Sequence, residues 1–304
     1  MVKDHDEDHI NVFELELELP NSDLTRVSKG LIGFAAKYEK LKTHFQLLID
    51  TEGMDRWSQT FYGKRIRMLD ALLDRYPLVV FHGDVGTGKT QTAECVSNSF
   101  AHDLKLDAVL FKLSTRVRGR GNVGEMSMLI NAAFDVVTQT ARKKKTSFLI
   151  VDEGDSLAAN RNNAQSHHED KVGVNTLIQR IDDLRRLHGR VLVLLCTNRF
   201  GSLDPAIIRR AGYTEEFPRP ADSEREALFR FDCEGLSLTA ETINELVALT
   251  GARETGGIGF TYSDIRTRLF PEALGRAFPC REITNDDLVE AARLVKPSPS
   301  LIEE

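Results

Sequence analysis

Gly83-Asp84-Val85-Gly86-Thr87-Gly88-Lys89-Thr90 follows the apolar run Leu78-Val79-Val80-Phe81 directly and precedes a segment able to start a helix. Strand, glycine-rich turn, Gly-Lys-Thr and helix is the context a P-loop requires. The glycines let successive backbone N–H groups turn inward around a phosphate chain; Lys89 can reach the outer phosphates, and the Thr90 hydroxyl can hold a magnesium ion. The pattern points to a nucleoside triphosphate with Mg2+ as the ligands, cradled by Gly83, Asp84, Val85, Gly86, Thr87, Gly88, Lys89 and Thr90.

Around this loop the strands continue. Short β-branched runs at Leu78 to Phe81, Ala108 to Leu113, Phe148 to Val151 and Val191 to Cys196 alternate with longer helical patterns. That alternation predicts an α/β fold, a parallel sheet built from βαβ units and sandwiched by helices. The connecting helix at about 171–188 carries Val174, Leu177, Ile178, Ile181, Leu184 and Leu187 at helical spacing, which places Arg180, Asp183 and Arg186 outward. Beyond Pro218 and Pro220 the strands are expected to stop. Amphipathic helices near 222–232, 239–250, 262–277 and 284–295 predict a small all-helical lid domain.

Upstream, Val12-Phe13-Glu14-Leu15-Glu16-Leu17-Glu18-Leu19 alternates apolar with acidic, the period of a half-buried strand that either pairs with another chain or completes a local sheet. Trp57, Phe61 and Tyr62, in the helical stretch before the P-loop, are expected in the core, with adenine contact as the alternative. The resulting division is an acidic tail, strand and helical segment over 1–76, a large P-loop domain over 77–220, the lid over 221–296 and an unstructured tail over 297–304.

The chain has 304 residues, 41% hydrophobic and 28% charged, the balance of a water-soluble globular protein with room for more than one core. A net charge of −6 argues against a surface built for nucleic acid; Arg116, Arg118, Arg120 and the run Arg142-Lys143-Lys144-Lys145 are its basic clusters. The acidic start is the opposite of a signal peptide, and no apolar stretch approaches the roughly 20 residues of a membrane span, so a cytoplasmic protein with no membrane partner is expected. Cys95, Cys196, Cys233 and Cys280 lie far apart and read as buried free thiols.

Phe148-Leu149-Ile150-Val151-Asp152-Glu153 is a buried strand that delivers two carboxylates at its carboxyl end, beside the place where the P-loop ends. Asp152 there can hold magnesium through water, and Glu153 can orient and activate an attacking water; phosphoryl transfer asks for positioning and charge stabilisation more than covalent help. The strand Val191 to Cys196 ends at Thr197-Asn198, again on the side where ligands gather in an open α/β sheet.

With these residues in place the chain resembles the AAA+ ATPases. The resemblance implies that Asn198 acts as sensor one and that Leu203-Asp204-Pro205-Ala206-Ile207-Ile208-Arg209-Arg210-Ala211-Gly212 supplies a finger to a neighbour's γ-phosphate, Arg210 in preference to Arg209. A finger given to a neighbour implies a ring, a homo-hexamer. Asp152 to Ala159, Val174 to Asp182 and Asp204 to Ala211 are similar in order and spacing to the pachytene-checkpoint remodellers. That family acts on HORMA-domain proteins, and its bacterial members accompany anti-phage cyclic-oligonucleotide signalling. The resemblance therefore implies an ATP hydrolase that remodels a HORMA-domain protein partner. The alternative is a nucleic-acid-directed AAA+ ATPase, a loader or transposition regulator. Two departures from the family pattern stand out. In the pore loop, Asn122 occupies the position of an aromatic residue, followed by Val123 and Gly124. In the lid, Ser263 stands near the sensor-two arginine's place and Arg266 follows three residues later.

Overall fold

The computed structural model describes residues 12–73, 75–114, 124–159, 168–187 and 189–300. The P-loop run begins as β2 (Leu78–Gly83), and three further apolar runs become β3 (Ala108–Leu113), β4 (Thr146–Val151) and β5 (Val191–Thr197). All four lie parallel in one sheet. β1 (Phe13–Leu19) completes that sheet locally, antiparallel to β3 with Leu17 opposite Leu110. A sixth strand, β6 (Tyr213–Phe217), pairs parallel to β2, and the order is β1-β3-β4-β5-β2-β6. β6 lies where no strand was expected, because Glu215 and Glu216 interrupt its apolar pattern. Glu215 is nonetheless buried, held by Lys40 at 2.8 Å and by the Tyr213 hydroxyl at 2.5 Å.

Burial on both faces explains the near-continuous apolar runs. Leu78 and Val80 of β2 point into one core with α6 (Glu125–Arg142) and α8 (His168–Leu184). Val79 and Phe81 point into a second core with α1 (Ser22–Lys29), α2 (Phe34–Ile49) and α5 (Lys89–Asp103). Each fully buried Phe or Leu contributes about 1.5–3 kcal/mol. α8 departs from expectation at Arg180, which turns onto α6, donating to Asn131 at 2.6 Å and pairing with Asp135 at 2.8 Å.

The aromatic residues upstream of the P-loop also differ from expectation. Trp57, Phe61 and Tyr62 sit on α3 (Thr51–Tyr62) at 42%, 72% and 54% exposure, neither in a core nor at the nucleotide loop; α4 (Met68–Leu73) follows. Cys95, Cys196 and Cys233 are buried thiols, whereas Cys280 is exposed.

After a short α7 (Gly154–Leu157) and α9 (Pro205–Ile208), the chain leaves β6 through Pro218-Arg219-Pro220 and builds the lid. α10 (Asp222–Asp232), α11 (Ala240–Leu249), α12 (Tyr262–Asp264), a π-helical stretch (Ile265–Leu269), α13 (Phe270–Ala277) and α14 (Asn285–Leu294) enclose a third core of Leu228, Phe229, Leu246, Phe260, Leu269 and Leu288. Reciprocal capping boxes, Thr261 with Asp264 and Thr284 with Asp287, start two of these helices.

Candidate functional site

The cleft between sheet and lid has a volume of about 480 Å3, and its walls come from both. Val85 to Thr90 form its floor, as the sequence predicts. The loop geometry is set by residues that tolerate left-handed backbone: Gly86 lies at φ 76°, and a Cβ there would stand 2.6 Å from the Ser263 Cβ of the lid. The Lys89 ammonium donates to the Gly83 carbonyl at 3.0 Å and the Asp84 carbonyl at 2.7 Å, and Thr87 Oγ1 donates to the same Asp84 carbonyl at 2.8 Å. Burial pushes the Lys89 pKa down from its usual value.

At the end of β4, Asp152 Oδ2 accepts from Thr90 Oγ1 at 2.9 Å. This pair of hard oxygen donors suits Mg2+, which takes few protein ligands and completes its shell with phosphates and water. Among the described residues no cluster of three or more His, Cys, Asp or Glu side chains could hold a metal by itself. Glu153 follows in the left-handed region, φ 49° and ψ 45°, a conformation that costs a non-glycine residue energy and turns its carboxylate away from the strand into the open cleft. Gly154 permits this turn, since a Cβ there would come within 2.4 Å of Leu195. Asn198 lines the same cleft. The preceding Thr197 is tied to Asp155 at 3.1 Å and accepts from the Arg199 N–H at 3.1 Å, which fixes the end of β5.

Several lining residues are absent from the sequence reading. Ile32 from the α1–α2 connection, Phe34 at the start of α2, Phe217 from β6 and Tyr262 from the lid give the cleft apolar lining. Trp57, Phe61 and Tyr62 are not among the residues that line this cleft. Lys112 at the end of β3 is held by Glu14 of β1 at 2.6 Å and lies 3.6 Å from Glu94 and 3.8 Å from Asp152. Burial lowers the Lys112 pKa, but these carboxylates outweigh it and leave the ammonium above its usual value.

The region from residue 79 to 219 matches the model of the ATPase family associated with various cellular activities (AAA). CD-NTase-associated protein 6 of Escherichia coli strain KTE188 is 47% identical over 290 residues, 95% of this chain and 97% of the relative. The chain belongs to this family of AAA ATPases. A chain of the E. coli MS115-1 HORMA:CdnC:Trip13 complex superposes with a TM-score of 0.88 at 36% identity, covering 95% of this chain and 97% of that one. Rhizobiales Trip13 superposes at 0.72 with 30% identity, over 94% and 99%.

As an AAA ATPase the chain binds nucleotide and hydrolyses ATP. Its arginines divide into two kinds. Arg210 is bound within its own chain: Nε and Nη2 donate to the two carboxylate oxygens of Asp182 at 2.5 and 2.9 Å, and the guanidinium lies 5.1 Å from the Tyr76 ring centre. Arg209, its neighbour, is exposed. Arg266 reaches the cleft wall but is held by Asp232 at 2.6 and 3.0 Å and by the Gly30 carbonyl at 2.8 Å. Of the pore triplet, Gly124 caps the start of α6 at φ 84°, and Asn122 and Val123 lie outside the described residues, as do Arg116, Arg118 and Arg120.

Proposed function

We propose that this ATPase couples hydrolysis to remodelling or disassembly of a HORMA-domain protein partner in an anti-phage, cyclic-oligonucleotide signalling system. The observation that carries this reading is the match along 95% of the chain to a chain of a complex that contains HORMA and CdnC. In this reading Lys89 and the P-loop N–H groups bind the triphosphate of ATP. Thr90 and Asp152 would hold Mg2+, which would supply positive charge against the phosphates. Glu153 takes a proton from the attacking water, and Asn198 orients that water against the γ-phosphate.

The ring is a homo-hexamer in which an arginine of α9's carboxyl end acts on the neighbour's nucleotide. Arg210 would have to leave Asp182 to do so, whereas the exposed Arg209 needs no such release, which favours Arg209 as the finger. Asn122, Val123 and Gly124 contact an extended segment of the partner in the pore. Among the described residues no helix is long and apolar enough to cross a membrane.

The test is ATPase stimulation at two salt concentrations, by a purified HORMA protein and by single- and double-stranded DNA. Stimulation by the HORMA protein is expected. Stimulation by DNA alone, falling steeply with salt through counterion release, would overturn the reading in favour of a nucleic-acid-directed ATPase.

A further inference from the structure

Arg219 follows β6 between Pro218 and Pro220, and the two rings hold the backbone there extended. Its guanidinium is spent on three partners in three parts of the chain. Nε donates to Asp84 Oδ2 of the P-loop at 2.7 Å, Nη1 to the Gly259 carbonyl of the lid at 2.6 Å, and Nη2 to the Ser298 carbonyl at 2.8 Å. The ion pair is enclosed, with the Asp84 side chain 2% and the Arg219 side chain 14% exposed. Ser298 belongs to the Pro-Ser-Pro-Ser stretch that the sequence reads as unstructured, yet it is anchored on the lid. Its Oγ donates to Asp264 Oδ1 at 2.5 Å, and its N–H donates to the same carboxylate at 3.2 Å. Burial pushes the Asp264 pKa up, and the hydrogen bonds from Ser298 and Thr261 outweigh it and hold the carboxyl below its usual range.

Asp84 joins these contacts to the phosphate-binding groups. Its side chain is held by Arg219, and its carbonyl accepts from both Lys89 and Thr87. One residue thus separates the hinge arginine from the lysine that meets the outer phosphates. The lid also touches the loop directly, where the Ser263 N–H donates to the Gly86 carbonyl at 3.2 Å.

We propose that Arg219 is a positioning residue for the nucleotide: gripped by the lid at Gly259 and by the carboxyl-terminal segment at Ser298, it fixes Asp84 and, through it, Lys89 in the geometry that receives phosphate. The segment around Ser298 is thereby part of the nucleotide site, although it touches no nucleotide-binding side chain. The proposal rests on the cleft being the nucleotide site.

The experiment uses the full chain and measures the affinity and dissociation rate of a fluorescent ATP analogue, kcat and KM for ATP, and the melting temperature. Arg219→Gln is expected to raise Kd and KM about tenfold while kcat at saturation changes less than about twofold, the range of coupling between contacting charged groups. Asp84→Asn should weaken binding similarly, and the double variant should be no worse than Arg219→Gln alone, since both act through one bond. Ser298→Ala, which removes the Oγ bond to Asp264 while keeping the backbone N–H bonds to that carboxylate and the carbonyl that accepts from Arg219, should raise KM about threefold. An unchanged KM in Arg219→Gln, or multiplied effects in the double variant, would overturn the proposal. If Arg219→Gln does not fold, Arg219→Lys decides: one ammonium cannot serve three separated acceptors, so a wild-type KM there overturns it equally. Lys89→Ala keeps the two assignments apart. If it binds nucleotide normally, the cleft assignment itself fails; if it loses binding while Arg219→Gln does not, only the role of Arg219 fails.

Discussion

Within the P-loop, Thr87 and Lys89 bond to carbonyls no more than six residues away, whereas the lid side of the same cleft is held by contacts that span the chain. Arg219 reaches Ser298 and Asp84 across 79 and 135 residues, and Arg266 reaches Gly30 across 236. A loop closed by its own neighbours forms wherever strand and helix bring its ends together. A wall held by remote charged pairs forms only when the domains have docked, and it is disturbed whenever they move. The half of the cleft closed mainly by its own neighbours is therefore the P-loop, the half assigned to phosphate. The half that responds to domain motion is the lid wall, with the linker at Arg219.

The largest expected effect lies in the locally built half. Glu153→Gln should retain nucleotide affinity and lower turnover by about 10²–10⁴-fold, because the amide keeps the shape and cannot accept the proton. Rapid hydrolysis by this variant would remove Glu153 from the chemistry and break the division into a reacting and a responding half. Next comes the arginine pair. Arg209→Ala should lower turnover about a hundredfold with the melting temperature unchanged, the cost of losing one cation aimed at developing charge. Arg210→Ala should instead lower stability by about 1–2 kcal/mol, discounted for partial exposure, since Asp182 loses its bidentate partner. Denaturant unfolding and steady-state ATPase assays on both variants separate the roles, and reversed results would return the finger to Arg210.

Gly86→Val probes the point where the two halves touch. The left-handed backbone and the approach of Ser263 both oppose a side chain, so ATP affinity should fall about tenfold, read by titration of a labelled nucleotide. An unaltered affinity would mean that the lid does not press on the loop. The smallest effect is expected at Trp57, on neither wall. Trp57→Ser should change unfolding free energy by less than about 0.5 kcal/mol and leave ATP turnover untouched. A loss of turnover there would extend the responding half to α3.

The same contrast governs what could be read in advance. That Val85 to Thr90, Asp152, Glu153 and Asn198 gather at one cleft was legible from short spacings and from their place at strand ends, and the four central strands from their unbroken apolar runs. β6 escaped because burial of Glu215 depends on Lys40 and Tyr213, partners that a local pattern does not contain. Trp57, Phe61 and Tyr62 were assigned by hydrophobicity, which is silent on which helix face meets the sheet. Arg219 left one trace in the sequence, a cation between two prolines where the helical lid begins. Its acceptor Asp84 sat in plain view inside the P-loop, as an acid in a buried turn that needs a cation from somewhere.

β1 carries a consequence for crowded solutions. It is the outer strand of the sheet, with β3 as its neighbour in the strand order. Such an edge is a template on which a second copy could add its own strand. Glu14, Glu16 and Glu18 all stand exposed along it, so two copies approaching edge to edge would bring like charges into register. Replacing Glu16 and Glu18 with valine would leave Phe13 to Leu19 a nearly uncharged, β-prone segment of the kind that stacks. Solubility at high concentration would then depend on Glu16 and Glu18, two carboxylates that do not line the ATP cleft.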